Sequence, residues 1–219
     1  MRILLINPNS SDLVTKTLEE AVKPLQYEHL QIDVICCKNT PQAIVTAFDE
    51  LMAGVASIQL LQEKEDAYDG AIIGCFADPG LRGARELVHI PVAGLFESST
   101  IFAKLQGRRY SVLASGDESD ISPWIGSIRD LGDRENAASV RYINSTVERA
   151  VSAKEEDILC GIEACRKEDG ADAVILGCAA FAGRGKELSA KAGIPVIDGI
   201  EEAVRMVEMM VHYRKEAVQ

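Results

Sequence analysis

Asp69-Gly-Ala-Ile-Ile-Gly-Cys75 returns almost unchanged as Asp172-Ala-Val-Ile-Leu-Gly-Cys178. At nearly the same distance beyond each copy stands the same exit, Ile90-Pro91-Val92 and then Ile194-Pro195-Val196. A chain that repeats itself in this way is built from two similar halves. Each copy is a short, continuously apolar run, the form taken by a parallel strand buried on both faces. Each ends in glycine and then cysteine.

Working outward, the first half alternates strand and helix. The expected strands are Ile3–Ile6, Ile32–Cys37, Ala71–Gly74 and Val92–Gly94. Leu13, Val14, Leu18, Ala21 and Val22 recur at helical spacing after the caps Ser10-Ser11-Asp12, and a long amphipathic helix is expected from about Ala47 to Ala67. The second half follows the same grammar. Its expected strands are Tyr110–Ala114, Val140–Ile143, Val174–Leu176 and Val196–Asp198, with helices at Ser122–Leu131, Ala153–Lys167 and Ile200–Arg214. The predicted fold class is therefore α/β, with two pseudo-symmetric lobes that each carry a four-stranded parallel sheet flanked by helices.

Composition narrows the function. Of the 219 residues 47% are hydrophobic and 26% charged, as in an ordinary soluble domain, and the net charge is −11. That balance argues against nucleic acid as a partner, which calls for a basic face. A small-molecule substrate is expected instead, and the chain is free to act as one subunit or as a homo-oligomer. No stretch approaches the roughly 18 apolar residues of a membrane helix, and Ile3–Ile6 runs into Asn7-Pro8-Asn9 without the core of a signal peptide. The six cysteines form no CxxC and no zinc spacing with the three histidines, so they read as free thiols in a reducing cytoplasm. Neither a dinucleotide glycine motif after a strand nor a phosphate loop is present, and no cofactor or metal is expected.

The chemistry is expected at Cys75 and Cys178. Each follows the C-terminal end of an apolar strand, where parallel α/β sheets place ligands. Each precedes residues that open a helix, a position expected to lower a thiol pKa. The repeat makes the two equivalent, and two thiols facing one carbon can handle a proton on both of its faces. Backbone N–H groups of the turn after Cys75, and of Ala179-Ala180, are placed to hold a developing oxyanion. Asn9 and Ser10 follow the first strand at the same sheet edge, and Ser115 and Ser119 follow the corresponding strand of the second half. Asp78-Pro79 reads as a cap for the helix that follows it, and Glu201-Glu202 as acids favoured by a helix dipole. Cys36, Cys37, Cys160 and Cys165 read as core or incidental.

With these segments in view, the chain resembles the aspartate/glutamate/hydantoin racemase superfamily, and within it the hydantoin and allantoin racemase branch. The carriers are Arg2-Ile-Leu-Leu-Ile-Asn-Pro-Asn-Ser-Ser11, Cys75-Phe-Ala-Asp-Pro-Gly-Leu81, Leu176-Gly-Cys-Ala-Ala180 and Pro195-Val-Ile-Asp-Gly199. The resemblance implies a cofactor-independent enzyme with its active site in the cleft between lobes 1–97 and 98–199, and a C-terminal helix, 200–219, that returns to the first lobe. It implies that Cys75 and Cys178 are the acid/base pair, and that Asn9 and the backbone around Phe76, Gly177 and Ala179 touch substrate. Glutamate racemases have Cys-Asn-Thr where this chain has Cys75-Phe76-Ala77, which removes their polar grip on an amino-acid carboxylate. Hydantoin and allantoin racemases usually carry glycine at the place of Ala77, and a Gly-Met pair at the place of Ala180-Phe181. Decarboxylation, double-bond isomerisation and non-catalytic binding or thiol redox sensing stay open as alternatives.

Overall fold

A computed structural model describes residues 1–107, 109–117 and 121–217. The first sheet holds β1 (Arg2–Asn7), β2 (Gln31–Cys36), β3 (Gly70–Ile73) and β4 (Val92–Gly94), all parallel, in the order β2-β1-β3-β4. The second holds β5 (Tyr110–Ala114), β6 (Ala137–Tyr142), β7 (Ala173–Leu176) and β8 (Val196–Ile197), again parallel, in the order β6-β5-β7-β8. The two orders superimpose strand for strand, as the repeat predicts. Helices α1 (Asp12–Val22), α2 (Ala47–Lys64), α3 (Leu81–Leu87) and α4 (Leu95–Gln106) accompany the first sheet. Helices α5 (Ile121–Asp130), α6 (Val147–Ala150), α7 (Glu155–Lys167) and α8 (Gly185–Ala192) accompany the second, and α9 (Ile200–Ala217) ends the chain.

The period of two along each strand explains why the runs are apolar throughout. Ile3, Leu5 and Ile72 of the first sheet, with Tyr110, Val112 and Ile175 of the second, enter one shared core. Their neighbours turn the other way: Leu4, Ile6 and Ile73 into a cluster on the first half, Leu113, Val174 and Leu176 into one on the second. Each fully buried aliphatic side chain stabilises the fold by roughly 1.5–3 kcal/mol, so both faces of both sheets contribute. The shared core is completed by α1, α4 and α9. Helix α9 packs on β3, β4 and α4, and a Cβ at Gly70 would meet Val207 of that helix.

Local signals set the element ends. The Ser11 side chain accepts the Val14 N–H at the start of α1, and Thr46 and Asp49 form a reciprocal capping box at the start of α2. The sequence reading differs from the structure in several places, helices α6 and α8 being absent from it and most other element ends shifting by one to three residues. Strand β6 begins at Ala137 rather than Val140, α7 begins at Glu155 rather than Ala153, and α4 was not anticipated at all. The boundary expected between residues 97 and 98 falls inside α4.

Candidate active site

Parallel strands of one sheet end on one edge, and the chain leaves β3 and β7 in the same manner. Gly74 donates its N–H to the Ile6 carbonyl at 2.7 Å, and Gly177 donates its N–H to Leu113 at 2.9 Å. Each glycine is required by crowding. A Cβ at Gly74 would lie 2.7 Å from the Ile6 oxygen, and one at Gly177 would lie 2.6 Å from Val112 and 2.7 Å from Trp124. The next residue in each half is the cysteine. Both cysteines line a single cavity of about 570 Å³ whose walls come from both halves.

Asn9, Phe76, Ser115, Gly177 and Ala179 line the same cavity. Ser10 does not: its hydroxyl donates to the Thr40 carbonyl at 2.7 Å and its N–H to Pro41 at 3.1 Å, tying two loops together. Ser119 lies outside the described residues. Sequence reasoning missed a large part of the wall, including Val45, Trp124, Asn144, Thr146 and Arg149. A topological signal existed. Segments 43–45 and 144–149 follow β2 and β6, so they stand at the same sheet edges as the cysteines.

Asn9 is held in one orientation. Its Oδ1 accepts from Asn7 Nδ2 at 3.0 Å and from the Ser11 N–H at 2.9 Å. Its Nδ2 makes no hydrogen bond among the described residues, so the amide presents a donor at the cavity wall. The N–H groups of Phe76, Ala179 and Ala180 likewise have no acceptor among the described residues. Trp124 sets its ring edge-on to Phe96, centroids 5.4 Å apart, which fixes the indole beside Gly177.

The electrostatics correct the expectation of an acidified thiol. Burial pushes the Cys75 thiol up to about 12, and the charges of Cys178, Asp78 and Glu50 push the same way; only the Ala77 N–H opposes them. The reason is positional. Helix α3 starts at Leu81, six residues beyond Cys75, and the residues after Cys178 form a single 3-10 turn, Ala179–Phe181. Neither offers a long helix dipole to the sulfur.

Asp78 is corrected too. It does not cap α3, whose N-cap is Gly80. With φ of 45° it turns back, and its carboxylate accepts the N–H groups of Phe96 at 3.1 Å and Glu97 at 2.9 Å. It therefore caps α4, the helix that reaches across to the second sheet, and so ties the Cys75 turn to that helix. Burial raises its carboxyl to about 7 against the pull of those two N–H groups. A side chain at Gly94 would fill the space of the Asp78 carboxyl.

None of the six cysteines is in a disulfide, and Cys165 is buried in the core with its thiol pushed up to about 11 by burial. Among the described residues no group of three or more His, Cys, Asp or Glu is placed to hold a metal ion. No described helix is long and apolar enough to cross a membrane.

Comparison with known proteins agrees with this geometry. The family model described as Asp/Glu/Hydantoin racemase matches residues 3–207. The chain is 33% identical to a hydantoin racemase of Pseudomonas sp. (strain NS671), covering 99% of this chain and 88% of that one. It is 32% identical to a hydantoin racemase of Paenarthrobacter aurescens, covering 96% and 91%. Among solved structures, the allantoin racemase from Klebsiella pneumoniae superimposes with a TM-score of 0.91 at 31% identity, over 97% of this chain and 88% of that one. The paired strand-glycine-cysteine units, the common cavity and these matches lead to one conclusion: the chain belongs to the Asp/Glu/hydantoin racemase family and is a racemase.

Proposed function

We propose that the protein racemises 5-substituted hydantoins or allantoin without a cofactor, moving protons between the ring C5 and the thiols of Cys75 and Cys178. The observation that carries the reading is the placement of two equivalent cysteines on the wall of one cavity. The hydantoin and allantoin racemases to which the chain is similar support the substrate class.

The chemistry follows from the ring. C5–H lies beside a carbonyl, so loss of the proton gives a planar enolate with its charge on oxygen. One sulfur, as thiolate, takes the proton; the other, as thiol, delivers one to the opposite face. The exchange leaves the two sulfurs with their protonation states reversed, ready for the reverse direction. The Asn9 amide and the unpartnered N–H groups of Phe76, Ala179 and Ala180 supply donors for the enolate oxygen, each worth several kcal/mol when fixed in place. The mutual repulsion of the two sulfurs keeps them from ionising together. The pair therefore passes through the singly protonated state this mechanism uses.

That electrostatic setting fixes a pH dependence. A thiol whose pKa is raised stays protonated through neutrality, so the active one-proton state gains population as pH rises. Because the thiolate fraction rises about tenfold per pH unit below the pKa, kcat/KM for loss of optical rotation is expected to be on the order of a hundredfold higher at pH 9 than at pH 7. A panel of D- and L-5-substituted hydantoins, allantoin included, read by polarimetry at both values, tests substrate and mechanism together. Release of CO2 from an arylmalonate, or conversion of maleate, with no decay of rotation from any hydantoin, would replace the reading with one of the alternative reactions.

A further inference from the structure

Among the described residues the wall of the cavity carries two charged side chains, Asp117 and Arg149, and both come from the second half. Neither has a part in the proton transfer. Asp117 is already engaged by an interaction of its own. Arg149 is different: its guanidinium makes no hydrogen bond and no ion pair among the described residues. That stands out in a chain with 34 acids against 23 Lys and Arg, where a carboxylate partner is easily found. Arg85, Arg141 and Arg205 are each matched to one.

The backbone beneath this cation is anchored. Arg149 donates its N–H to the Thr146 hydroxyl at 3.4 Å, Ala150 donates its N–H to the Thr146 carbonyl at 2.8 Å, and the Ala150 side chain is fully buried. The loop that leads into α6 is clipped to the loop after β5, where Gly116 donates its N–H to the Ser145 carbonyl at 2.6 Å. Helix α6 packs on the Ala179–Phe181 turn that directly follows Cys178. The guanidinium therefore belongs to the Cys178 side of the cavity. The carboxylates whose charges act on Cys75 are those of Asp78 and Glu50, both from the first half.

We propose that Arg149 is a specificity residue, and that the substrate it selects is a hydantoin whose C5 side chain ends in a carboxylate. The assignment rests on the hydantoin chemistry proposed for the same cavity. A volume of about 570 Å³ leaves room for a side chain beyond a five-membered ring. The guanidinium presents a planar pair of N–H donors that matches the two oxygens of a carboxylate. On an open surface such a pair is worth little. Here it would form in a cavity whose wall includes Val14, Ile44, Val45 and Trp124, where apolar side chains displace water and the attraction is less weakened. The acids add direction. Asp78 and Glu50 repel an anionic tail from the Cys75 side, so the tail turns to Arg149 and fixes which way the ring lies between the sulfurs. Asp117 is the carboxylate such a tail must avoid and a cationic tail would seek, which supplies the opposite arm of the test.

The test measures kcat/KM for loss of optical rotation in about 0.1 M salt, which screens the long-range field of the net charge of −11. The substrates are hydantoins whose C5 side chain is carboxyethyl, its amide carbamoylethyl, aminopropyl or isobutyl, with allantoin beside them. The wild type is expected to favour carboxyethyl over carbamoylethyl at least about tenfold, the effect of one hydrogen-bonded charge. In Arg149→Gln that ratio is expected to fall to about one, and in Arg149→Lys to survive in part. Arg149→Glu is expected to favour aminopropyl over carboxyethyl. Damage to the fold would lower every substrate alike and show in far-UV circular dichroism. Should Arg149→Gln or Arg149→Glu fail to fold, the wild-type ratio and Arg149→Lys carry the reading. A wild-type ratio near one, with isobutyl or allantoin racemised, overturns the inference and leaves the hydantoin reading standing. So does a ratio that Arg149→Gln leaves unchanged, and so does a wild type that prefers aminopropyl, which would assign selection to Asp117. Racemisation of none of the five overturns both.

Discussion

Replacing Cys75 with serine is expected to lower kcat/KM for racemisation by at least about 10³-fold, and Cys178→Ser to do the same. Proton transfer by a positioned group contributes about 10²–10⁴-fold, and groups that act as a unit fail together rather than by halves. Serine preserves the shape of each site but is a far weaker acid than a thiol, and burial, which already raises Cys75 to about 12, holds a hydroxyl neutral throughout. Each variant keeps one competent sulfur. The remaining thiol can still remove and return the proton on its own face, so exchange of C5–H with deuterated solvent is expected to survive for one enantiomer only. The enantiomer that exchanges should switch between the two variants. Proton NMR of each enantiomer in D2O, beside polarimetry, reads both effects. Racemisation at the wild-type rate in either variant would end the two-thiol mechanism, and exchange of both enantiomers by one variant would point to a single base that reaches both faces.

Much of the architecture could be read from the chain because its strands are buried on both sides. Ile3–Ile6, Ala71–Ile73 and Val174–Leu176 alternate between the shared core and an outer cluster, so every position must be apolar and the run stands out. Helix α4 did not stand out, for the complementary reason. Its cap is Asp78, 18 residues before the Phe96 whose N–H it accepts, so no local signal marks its start; the residue at the cap position is Gly94. Its middle is Ser98-Ser99-Thr100, all buried, with the Ser99 and Thr100 hydroxyls bonded back to Leu95 and Glu97 carbonyls. Polar letters in a buried helix hide the apolar period.

The site shows the same division. The cysteines and Asn9 belong to short motifs beside strands, and such motifs are visible in one dimension. Thr146 and Arg149 reach the cavity from the segment after β6, where no pattern marks them, and only the matching order of the two sheets brings that segment to the right edge. The acidity of Cys75 was misjudged because proximity to a helix start can be read from spacing, whereas the burial that outweighs it is a property of the folded chain.

Burial overturns a second electrostatic expectation, and its consequence is large enough to measure. Glu202, in the first turn of α9, reads from the sequence as an acid favoured by the helix dipole. In the structure its Oε2 is buried without a hydrogen-bond partner. Burial, reinforced by the nearby Asp198 charge, raises its carboxyl from 4.5 to about 7. Asp198 itself is committed to the Gly185 N–H at 2.8 Å and the Ile200 N–H at 3.2 Å and cannot move away. The sign follows from proton counting. Between about 4.5 and 7 the folded chain holds a proton at Glu202 that the unfolded chain has released, so stability falls as pH rises through that window, and the loss is complete above it. Glu202→Gln carries no charge to desolvate and resembles the protonated acid in shape. The variant is therefore expected to match the wild type near pH 4.5 and to exceed it by about 2 kcal/mol at pH 8, a value discounted for the part of the side chain that still meets water. For a chain of this length that is a rise in Tm of roughly 4–8 °C. Thermal melts of both proteins at pH 4.5, 6 and 8 should show a gap that opens with pH. A gap of the same size at all three would mean that the side chain acts through packing, and a wild type more stable than Glu202→Gln at pH 8 would mean that the carboxylate has a partner that stabilises its charge. Helix α9 rests on β3, the strand that delivers Cys75. A charge in its first turn that loosens the helix above neutrality would act on the same sheet edge where the thiol chemistry gains from alkaline pH, so Glu202→Gln is also expected to hold the racemase active to higher pH than the wild type.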